Sequence, residues 1–542
     1  MKIAGVWSGH DCSYCVLENG KPVVHDEYER FLRKKEPKGD SVRFLLDNYK
    51  DAQEVSYVVS CLPQSKITQH EDSFNEIKSV VEKNEGNMFM VGHHQAHAAN
   101  AFFSSNLDQS LVITLDGGGV EQENKVTAAT IWAGKDNKIG PVHVFDFHDF
   151  NIGGVWTRVT RYVFNLQSGY PRGHQAGTVM ALAAFGDPTK FHDDFFKMMT
   201  VDNQYAYHKP PGQKDGENIG EDPPHPYLDK YRKIADESEQ NKFDLAAGLQ
   251  SATEMRFKGL LEDILRQIPD IKNLCLAGGV ALNSVMTGKI KNWFPQIENI
   301  YIPPATHDGG LTIGAAQYVW HQVLDNPRIK WEDNFTPYLG RTYSIEEVKE
   351  ALGKRSDEIS LNENASDIDI INCLKNQEII SVFGGGSESG KRALGNRSIL
   401  ADPRSEVMKD IINEKVKHRQ KFRPFAPSIL REEVSNWFTE DQESPYMSFV
   451  LQFTDEAKKK VPAVVHHDGS ARLQTVTEND NPWYYSFLQA WNIESGVPII
   501  LNTSFNDREP ICETPDHALD CFLRTNIDKL YFYDYGIIVS KK

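Results

Sequence analysis

The chain has 542 residues, 40% apolar and 25% charged, with a formal net charge of −17. That length exceeds what one hydrophobic core serves and predicts at least two domains. The acidic balance argues against a duplex nucleic-acid binder, which needs a basic face, but leaves room for a small anionic substrate at a locally basic site.

From the N-terminus, MKIAGVWSGHD reaches His10 and Asp11 before any signal-type apolar region develops, and no later apolar run approaches the length of a membrane span. The chain therefore reads as cytoplasmic with no membrane partner, and its seven scattered cysteines fit a reducing compartment. The first 50 residues read as a hairpin turning at Glu18-Asn19-Gly20. Cys12 and Cys15 form a CxxC inside strand-like alternation, without a second pair or a following helix, so packing outweighs zinc or redox chemistry.

Next comes GHHQAHAANAFF, an Ala-rich helix in which His93 and His97 share a face at i and i+4 while His94 points elsewhere. HEXXH zinc-protease chemistry fails at once, because His94 stands where the Glu is needed. LVITL, Leu111 to Leu115, breaks into DGGG at Asp116. The stretch from Gln204 to Lys242 is rich in Pro, Gly and charge and reads as a long surface insertion. FDLAAGLQSATEMRFKGLLEDIL has helical periodicity, and NLCLAGGVALN and IYIPPATHDGGLTIGAA each read as strand, Gly pair, helix. Gly-rich turns of this kind let backbone N–H groups approach phosphate, so Gly117, Gly118, Gly278, Gly279, Asn283 and Gly309 are the nucleotide-binding candidates. Three such turns behind an N-terminal hairpin resemble the duplicated actin-like ATPase fold. Asp116 and Asp308 each close a strand. Beside His93 and His97 they make two imidazoles and two carboxylates, a set suited to Fe(II), with Mn or Zn as competitors.

Composition turns polar between Asp325 and Gly340, which predicts a boundary between a first domain, 1–335, and a second, 345–542. In the second, the helical IEEVKEAL precedes a strand EIISVF and then GGGSESGKR, close to GxxxxGK[ST]. Arg392 stands where the magnesium-binding Ser or Thr belongs, so the P-loop reading is rejected. VKHRQKFRPFAPS brings Lys417, Arg419 and Arg423 together, HHDGSARLQTV adds Arg472, and GVPIILNTSFND ends a buried-type strand in Asn502, Thr503, Ser504 and Asn506. In so acidic a chain these read as a site for phosphate and carboxylate-like groups, because guanidinium forks match such anions.

HDCSYCVLENG, YERFLRKK, HHQAHAANAFF, LDGGG, AGGVALN, HDGGLTIGAA and RALGNRSILADPR together resemble the O-carbamoyltransferases of the NodU/CmcH type, over essentially residues 1–540. The resemblance implies metal ligands at His93, His97, Asp116 and Asp308. It implies an α/β chain, an actin-like domain followed by a YrdC-like one. It further implies that the second domain turns carbamoyl phosphate and ATP, with Mg as co-substrate, into carbamoyl adenylate on Arg392, Arg397, Lys417, Arg419, Arg423, Arg472, Asn502, Thr503, Ser504 and Asn506. The first domain would pass the carbamoyl group to a hydroxyl on a sugar, nucleoside or natural product, with His10 orienting or deprotonating it. A homodimer is implied by the family alone. The chain departs from the pattern at Thr178, which stands for a lysine, at Glu36, which stands for a histidine, in Gly386 to Lys391, and after Arg508, where a glycine is missing. Two other readings compete: a non-enzymatic actin-like nucleotide binder, and a fused tRNA N-carbamoylation enzyme, which the acidic charge disfavours.

Overall fold

The computed structural model describes residues 1–166, 175–200, 224–330 and 337–542. They fall into two compact units, Met1–Phe335 and Thr336–Lys542.

The first unit builds one sheet plan twice. Strands β1 (Lys2–Trp7), β2 (Ser13–Glu18) and β3 (Lys21–Glu27) form an antiparallel meander, and β4 (Val55–Cys61) and β5 (Asn87–Val91) add in parallel beyond β1. The order is β3-β2-β1-β4-β5. Strands β6 (Gln109–Val120), β7 (Val126–Lys135), β8 (Lys138–Val144), β9 (Asn273–Ala277) and β10 (Asn299–Tyr301) repeat it as β8-β7-β6-β9-β10, with the same pattern of antiparallel and parallel pairs. This is the duplicated actin-like plan. The expected turn is there, Asn19 and Gly20 both at positive φ (49° and 84°), the conformation a two-residue hairpin requires. Cys12 and Cys15 are buried with free thiols, Cys15 within β2, as packing residues.

Each half sends a helix from its fifth strand back between the sheets: His93–Phe103 after β5 and Leu311–Tyr318 after β10. Alanines along the first (Ala98, Ala99, Ala101) pack on Val112, Trp132 and Cys275 of the second sheet. The second packs Leu311, Ile313 and Ala315 on Ile3, Val59 and Val91 of the first sheet, together with Ala96. The two helices meet where Gly314 lies against the carbonyl of Ala96, so closely that a Cβ at 314 would overlap that oxygen. A methyl there must push the helices apart.

Two sequence expectations need correction. DGGG does not end a strand: β6 continues to Val120, and the pairing with β7 slips between Leu115 and Gly119, so Asp116 to Gly118 bulge out. A bulge re-aims a side chain without ending the ladder, which a sequence pattern reads as a break. The surface insertion expected over Gln204 to Lys242 is helical at its C-terminal end, in Asp229–Glu237 and the start of Glu239–Gln267. Its first part, through residue 223, lies outside the described residues, as do residues 331–336 of the expected boundary.

The second unit is a nine-stranded mixed sheet of β11 (Ile359–Asn362), β12 (Ile380–Phe383), β13 (Arg397–Ala401), β14 (Ala426–Leu430), β15 (Phe449–Gln452), β16 (Ser470–Val476), β17 (Ile499–Ser504), β18 (Lys529–Phe532) and β19 (Ile537–Lys541). Its order is β11-β19-β18-β12-β13-β17-β14-β16-β15, flanked by helices such as Met408–Lys415 and Pro482–Ser495. After β12 the Gly-rich stretch runs irregularly into β13, which pairs antiparallel with β12. No helix follows the loop, so the P-loop geometry is absent as expected. Among the described residues no helix is long and apolar enough to cross a membrane.

Gly314→Ala should lower the stability of the first unit by about 1–3 kcal/mol, the usual cost of overpacking. Thermal denaturation of the variant against wild type measures it, and an unchanged midpoint would mean the helices do not meet there.

Candidate functional site

The helix His93–Phe103 carries both predicted imidazoles to one place. His97 Nε2 lies 3.2 Å from His93 Nε2, 3.1 Å from Asp116 Oδ2 and 3.5 Å from Asp308 Oδ1. His93 Nε2 lies 3.5 Å from Asp308 Oδ1 and 3.8 Å from Asp116 Oδ2. All four ligand atoms fall within 4.8 Å of one another. Burial opposes charge on His97, but hydrogen bonds to Asp116 and Asp308 outweigh it and lift its pKa to about 9. Asp116, though half-buried, is held well below the carboxylate range by the two imidazoles. Nδ1 of His97 is buried without a hydrogen-bond partner. Two imidazoles and two carboxylates pointing at one another, with little water to separate them, form a donor set that a divalent transition ion fits.

His94 turns away as expected. Its Nδ1 meets Thr114 Oγ1 at 2.9 Å and its Nε2 the Thr127 carbonyl at 3.0 Å, and burial keeps it neutral. The start of the helix is held by Glu121, which accepts from the His94 backbone N–H. Gly92 leaves the room: a Cβ would overlap the Glu121 carboxylate. The turn bearing Asp308 is pinned through the Gly309 carbonyl, which accepts from Ser13 Oγ (2.9 Å) and Thr312 Oγ1 (3.2 Å) and faces His25 Nε2 at 2.8 Å. Behind it His307 meets Glu27 at 3.2 Å, and Glu27 pairs with Arg30 at 2.9 Å in a buried bridge.

His10 enters from the loop after β1, its backbone carbonyl fixed by Trp7 Nε1 at 2.8 Å. Nδ1 lies 2.9 Å from Asp11 and Nε2 3.3 Å from Asp308, while 47% of the side chain stays exposed. Loss of solvent disfavours its charge, but Asp308 and Asp11 prevail and lift its pKa to about 10.

The glycines divide. Gly278, at φ 94°, lies against the Leu115 carbonyl, and its neighbour Gly279 donates its N–H to Asp116 Oδ2 at 3.2 Å. Gly117 bonds Asp116 Oδ1 at 2.5 Å, and Gly118 bends the bulge at φ 140°. Asn283 is not an open ligand: its side chain caps Met286 N (3.1 Å) and exchanges two hydrogen bonds with Gln250. Sequence reasoning missed the helix Ile152–Tyr162, whose Gly153 backs so tightly on Asp116 and Gly117 that a Cβ would stand 2.5 Å from their backbone. The signal was present in Asn151, the N-cap, followed by Gly153 and Gly154.

In the second unit four of the predicted cations form one electrostatic cluster. Burial depresses Arg472 well below its ordinary pKa, and Arg392, Arg419 and Arg423 add their repulsion. Burial and Arg423 likewise depress Arg419, and bring Arg392 down to about 10. Burial lowers Arg423 as well. All four are half-buried, and none forms a salt bridge among the described residues. Arg419 is aimed by Asn413 (2.7 Å) and lies over Phe425.

Other predicted residues serve as scaffold. Arg397 is fully buried, stacks on Phe383 and donates to the carbonyls of Gly384 (2.7 Å), Asn396 (3.0 Å), Arg341 and Gly385 (both 3.3 Å), so it ties the Gly-rich loop rather than facing an anion. Lys417 donates to Ser504 and to Asn506 O (2.8 Å) and Oδ1 (2.7 Å), and Ser504 Oγ reaches Asn506 at 2.8 Å. Asn502 is buried between Ala393, Ser428 and Gln474. Thr503, half-buried on β17, pairs with Ile399. Glu388 was not singled out in the sequence: its Oε1 accepts from the backbone N–H groups of Leu394 (2.8 Å), Asn396 (2.8 Å) and Arg397 (3.0 Å), shaping the loop that presents Arg392.

Comparison with known proteins gives a consistent result. Residues 69–317 match the family described as Carbamoyltransferase N-terminus and residues 371–539 the one described as Carbamoyltransferase C-terminus. An uncharacterised protein of Synechocystis is 33% identical over 482 residues, covering 82% of this chain and 75% of that one. Nodulation protein NolNO of Sinorhizobium fredii is 34% identical over 468 residues, covering 82% of this chain and 63% of its own length. The 3'-hydroxymethylcephem-O-carbamoyltransferase of Amycolatopsis lactamdurans is 28% identical over 427 residues, covering 75% and 74%.

The clustered arginines and the carbonyl-bound Arg397 differ in a measurable way. Arg472→Ala removes one of four like charges and should leave the melting temperature unchanged or higher. Arg397→Ala orphans buried carbonyls and should cost about 3 kcal/mol. Equal losses in both variants would put Arg472 with the scaffold.

Proposed function

The chain belongs to the carbamoyltransferase family, and from that premise we propose that it carries a carbamoyl group to a hydroxyl of a small acceptor in two half-reactions divided between its two units. Family membership removes the non-enzymatic reading. The observation that carries the proposal is the arginine cluster: four half-buried guanidinium groups with no carboxylate partner among the described residues, in a chain of net charge −17. Such a site is unfavourable until an anion fills it.

In the second unit, on this reading, water cleaves carbamoyl phosphate to carbamate and inorganic phosphate, and a carbamate oxygen attacks the α-phosphorus of ATP, with Mg as co-substrate, expelling pyrophosphate. The product is carbamoyl adenylate. Arg392, Arg419, Arg423 and Arg472 neutralise the triphosphate and the departing pyrophosphate. Lys417, Ser504 and Asn506 fix the loop beside them, and Arg397 and Asn502 act through the backbone they hold.

In the first unit the acceptor hydroxyl attacks the carbamoyl carbon and AMP leaves. Gly117, Gly118, Gly278, Gly279 and Gly309 form the turns through which the backbone meets the nucleotide, with the start of Ile152–Tyr162 adding a dipole that favours phosphate. His93, His97, Asp116 and Asp308 are the residues that would hold a metal, for which Fe(II) is our assignment over Mn or Zn; bound there, it supplies positive charge that neutralises phosphate and polarises a carbonyl. His10, fixed by Asp11 and Trp7 and partly exposed, orients the acceptor hydroxyl as a hydrogen-bond donor. The acceptor class is a sugar, nucleoside or natural product; the name of the Amycolatopsis relative specifies a hydroxymethyl group. We place the protein in the cytoplasm, which its seven free thiols support, and as a homodimer on family resemblance.

Arg472→Ala should abolish carbamoyl-phosphate-dependent cleavage of ATP to pyrophosphate, whereas Asp308→Ala should retain it and fail to carbamoylate the acceptor. Preformed carbamoyl adenylate should rescue product with the Arg472 variant and not with the Asp308 variant. Equal failure of both variants in both assays would replace two sites by one composite site.

A further inference from the structure

The turn that leads into β16 holds a histidine that the arginine cluster leaves unexplained. Ser470 and Arg472 are two apart on β16, so their side chains share a face. Ser470 Oγ donates to Asp468 Oδ1 at 2.6 Å and lies 3.3 Å from His466 Nδ1. The serine hydroxyl has one proton, and an ionised carboxylate has none to offer, so that proton goes to Asp468. His466 must then donate from Nδ1, which leaves the lone pair on Nε2. Asp468, Ser470 and His466 thus form a chain that selects one tautomer, on the same side of β16 as Arg472. The backbone supports it, with His466 N bonded to Ser470 O at 2.8 Å.

The charges facing the ring are Asp468 and Arg472 from its own hairpin and Lys409 from the helix Met408–Lys415. Burial and the two cations outweigh Asp468 and take the pKa of His466 down to about 4, so the ring is neutral at pH 6. A bound anion reverses the sign of the field that Arg472 imposes.

We propose that His466 takes up a proton from solvent at Nε2 when a phosphate-bearing anion binds across Arg392, Arg419, Arg423 and Arg472. The proposal rests on the reading of that cluster as the site for carbamoyl phosphate and ATP. The protonated ring completes neutralisation of the anion and is returned to its neutral form as the anion leaves. Proton uptake on binding requires that affinity rise as pH falls, over the window between the free and the anion-bound pKa of the ring.

The test uses the full chain and inorganic sulfate, a tetrahedral dianion that does not itself titrate near neutrality, with affinity measured by calorimetry from pH 5 to 7. Wild type should bind sulfate about tenfold more tightly at pH 5 than at pH 6, the slope of one proton. His466→Asn keeps an N–H at the position of Nδ1 for Ser470, and His466→Gln places an amide nearer Nε2; both should still bind sulfate with the slope gone. If the slope persists in both variants, or is missing in wild type while binding still requires Arg472, His466 is not the proton acceptor and the anion-site reading stands. If Arg472→Ala leaves sulfate binding unchanged, the anion-site reading fails and this inference fails with it.

Discussion

The close contact of two helices at Gly314 and Ala96 is the constraint on which the first unit's chemistry depends. These helices follow the fifth strand of each half, so they are equivalents in a duplicated plan. The metal-binding candidates obey the same duplication. His93 and His97 open the helix after β5, and Asp308 sits just before the helix after β10. Asp116 follows the first stretch of β6, and His10 and Asp11 follow β1. The cluster thus forms where equivalent segments from both halves converge, and small residues at the helix crossing set how near they come. Such convergence gives a donor set because the sheet plan brings the bulge of β6 and the segments that follow β5 and β10 to one place.

The second unit solves a different electrostatic problem. Its arginines repel one another, and burial weakens the water that would screen them. Holding them therefore requires a stiff frame, and the frame is polar and buried: Glu388 collects three backbone N–H groups, Arg397 four carbonyls, and Asn502 knits β17 to Ser428 and Gln474. A buried hydrogen-bonded network of this kind fixes geometry, whereas a set of like charges without counter-ions favours an anion. The same side chain, arginine, stands among like charges at 392 and is tied to backbone carbonyls at 397.

Much of this was legible in sequence because it rests on local spacing. His93 and His97 share a helix face by periodicity alone, and the Asn-Gly turn states its own φ angles. The arginine motifs were legible as a set, since four cations in an acidic chain need an explanation. What sequence could not divide was arginine from arginine: Arg397 faces carbonyls and Arg392 does not, and only the path of the loop decides which. The internal partners of Lys417 and Asn283 were hidden for the same reason, both being polar residues in the expected motif. Asp116 was placed at a strand end because a bulge and a terminus look alike in a string of glycines. Glu121 and Gly153 act through contacts distant in sequence, and no local pattern announces them.

The two halves of the first unit deliver His93, His97, Asp116 and Asp308 to one place, the donor set proposed to hold a metal. The most direct measurement is metal stoichiometry after anaerobic loading with iron(II), for wild type and His97→Ala, each shown to be folded. Wild type should hold about one ion per chain and the variant essentially none, because the variant removes the imidazole closest to Asp116. Unchanged stoichiometry in the variant would contradict it and take the helix His93–Phe103 out of the site.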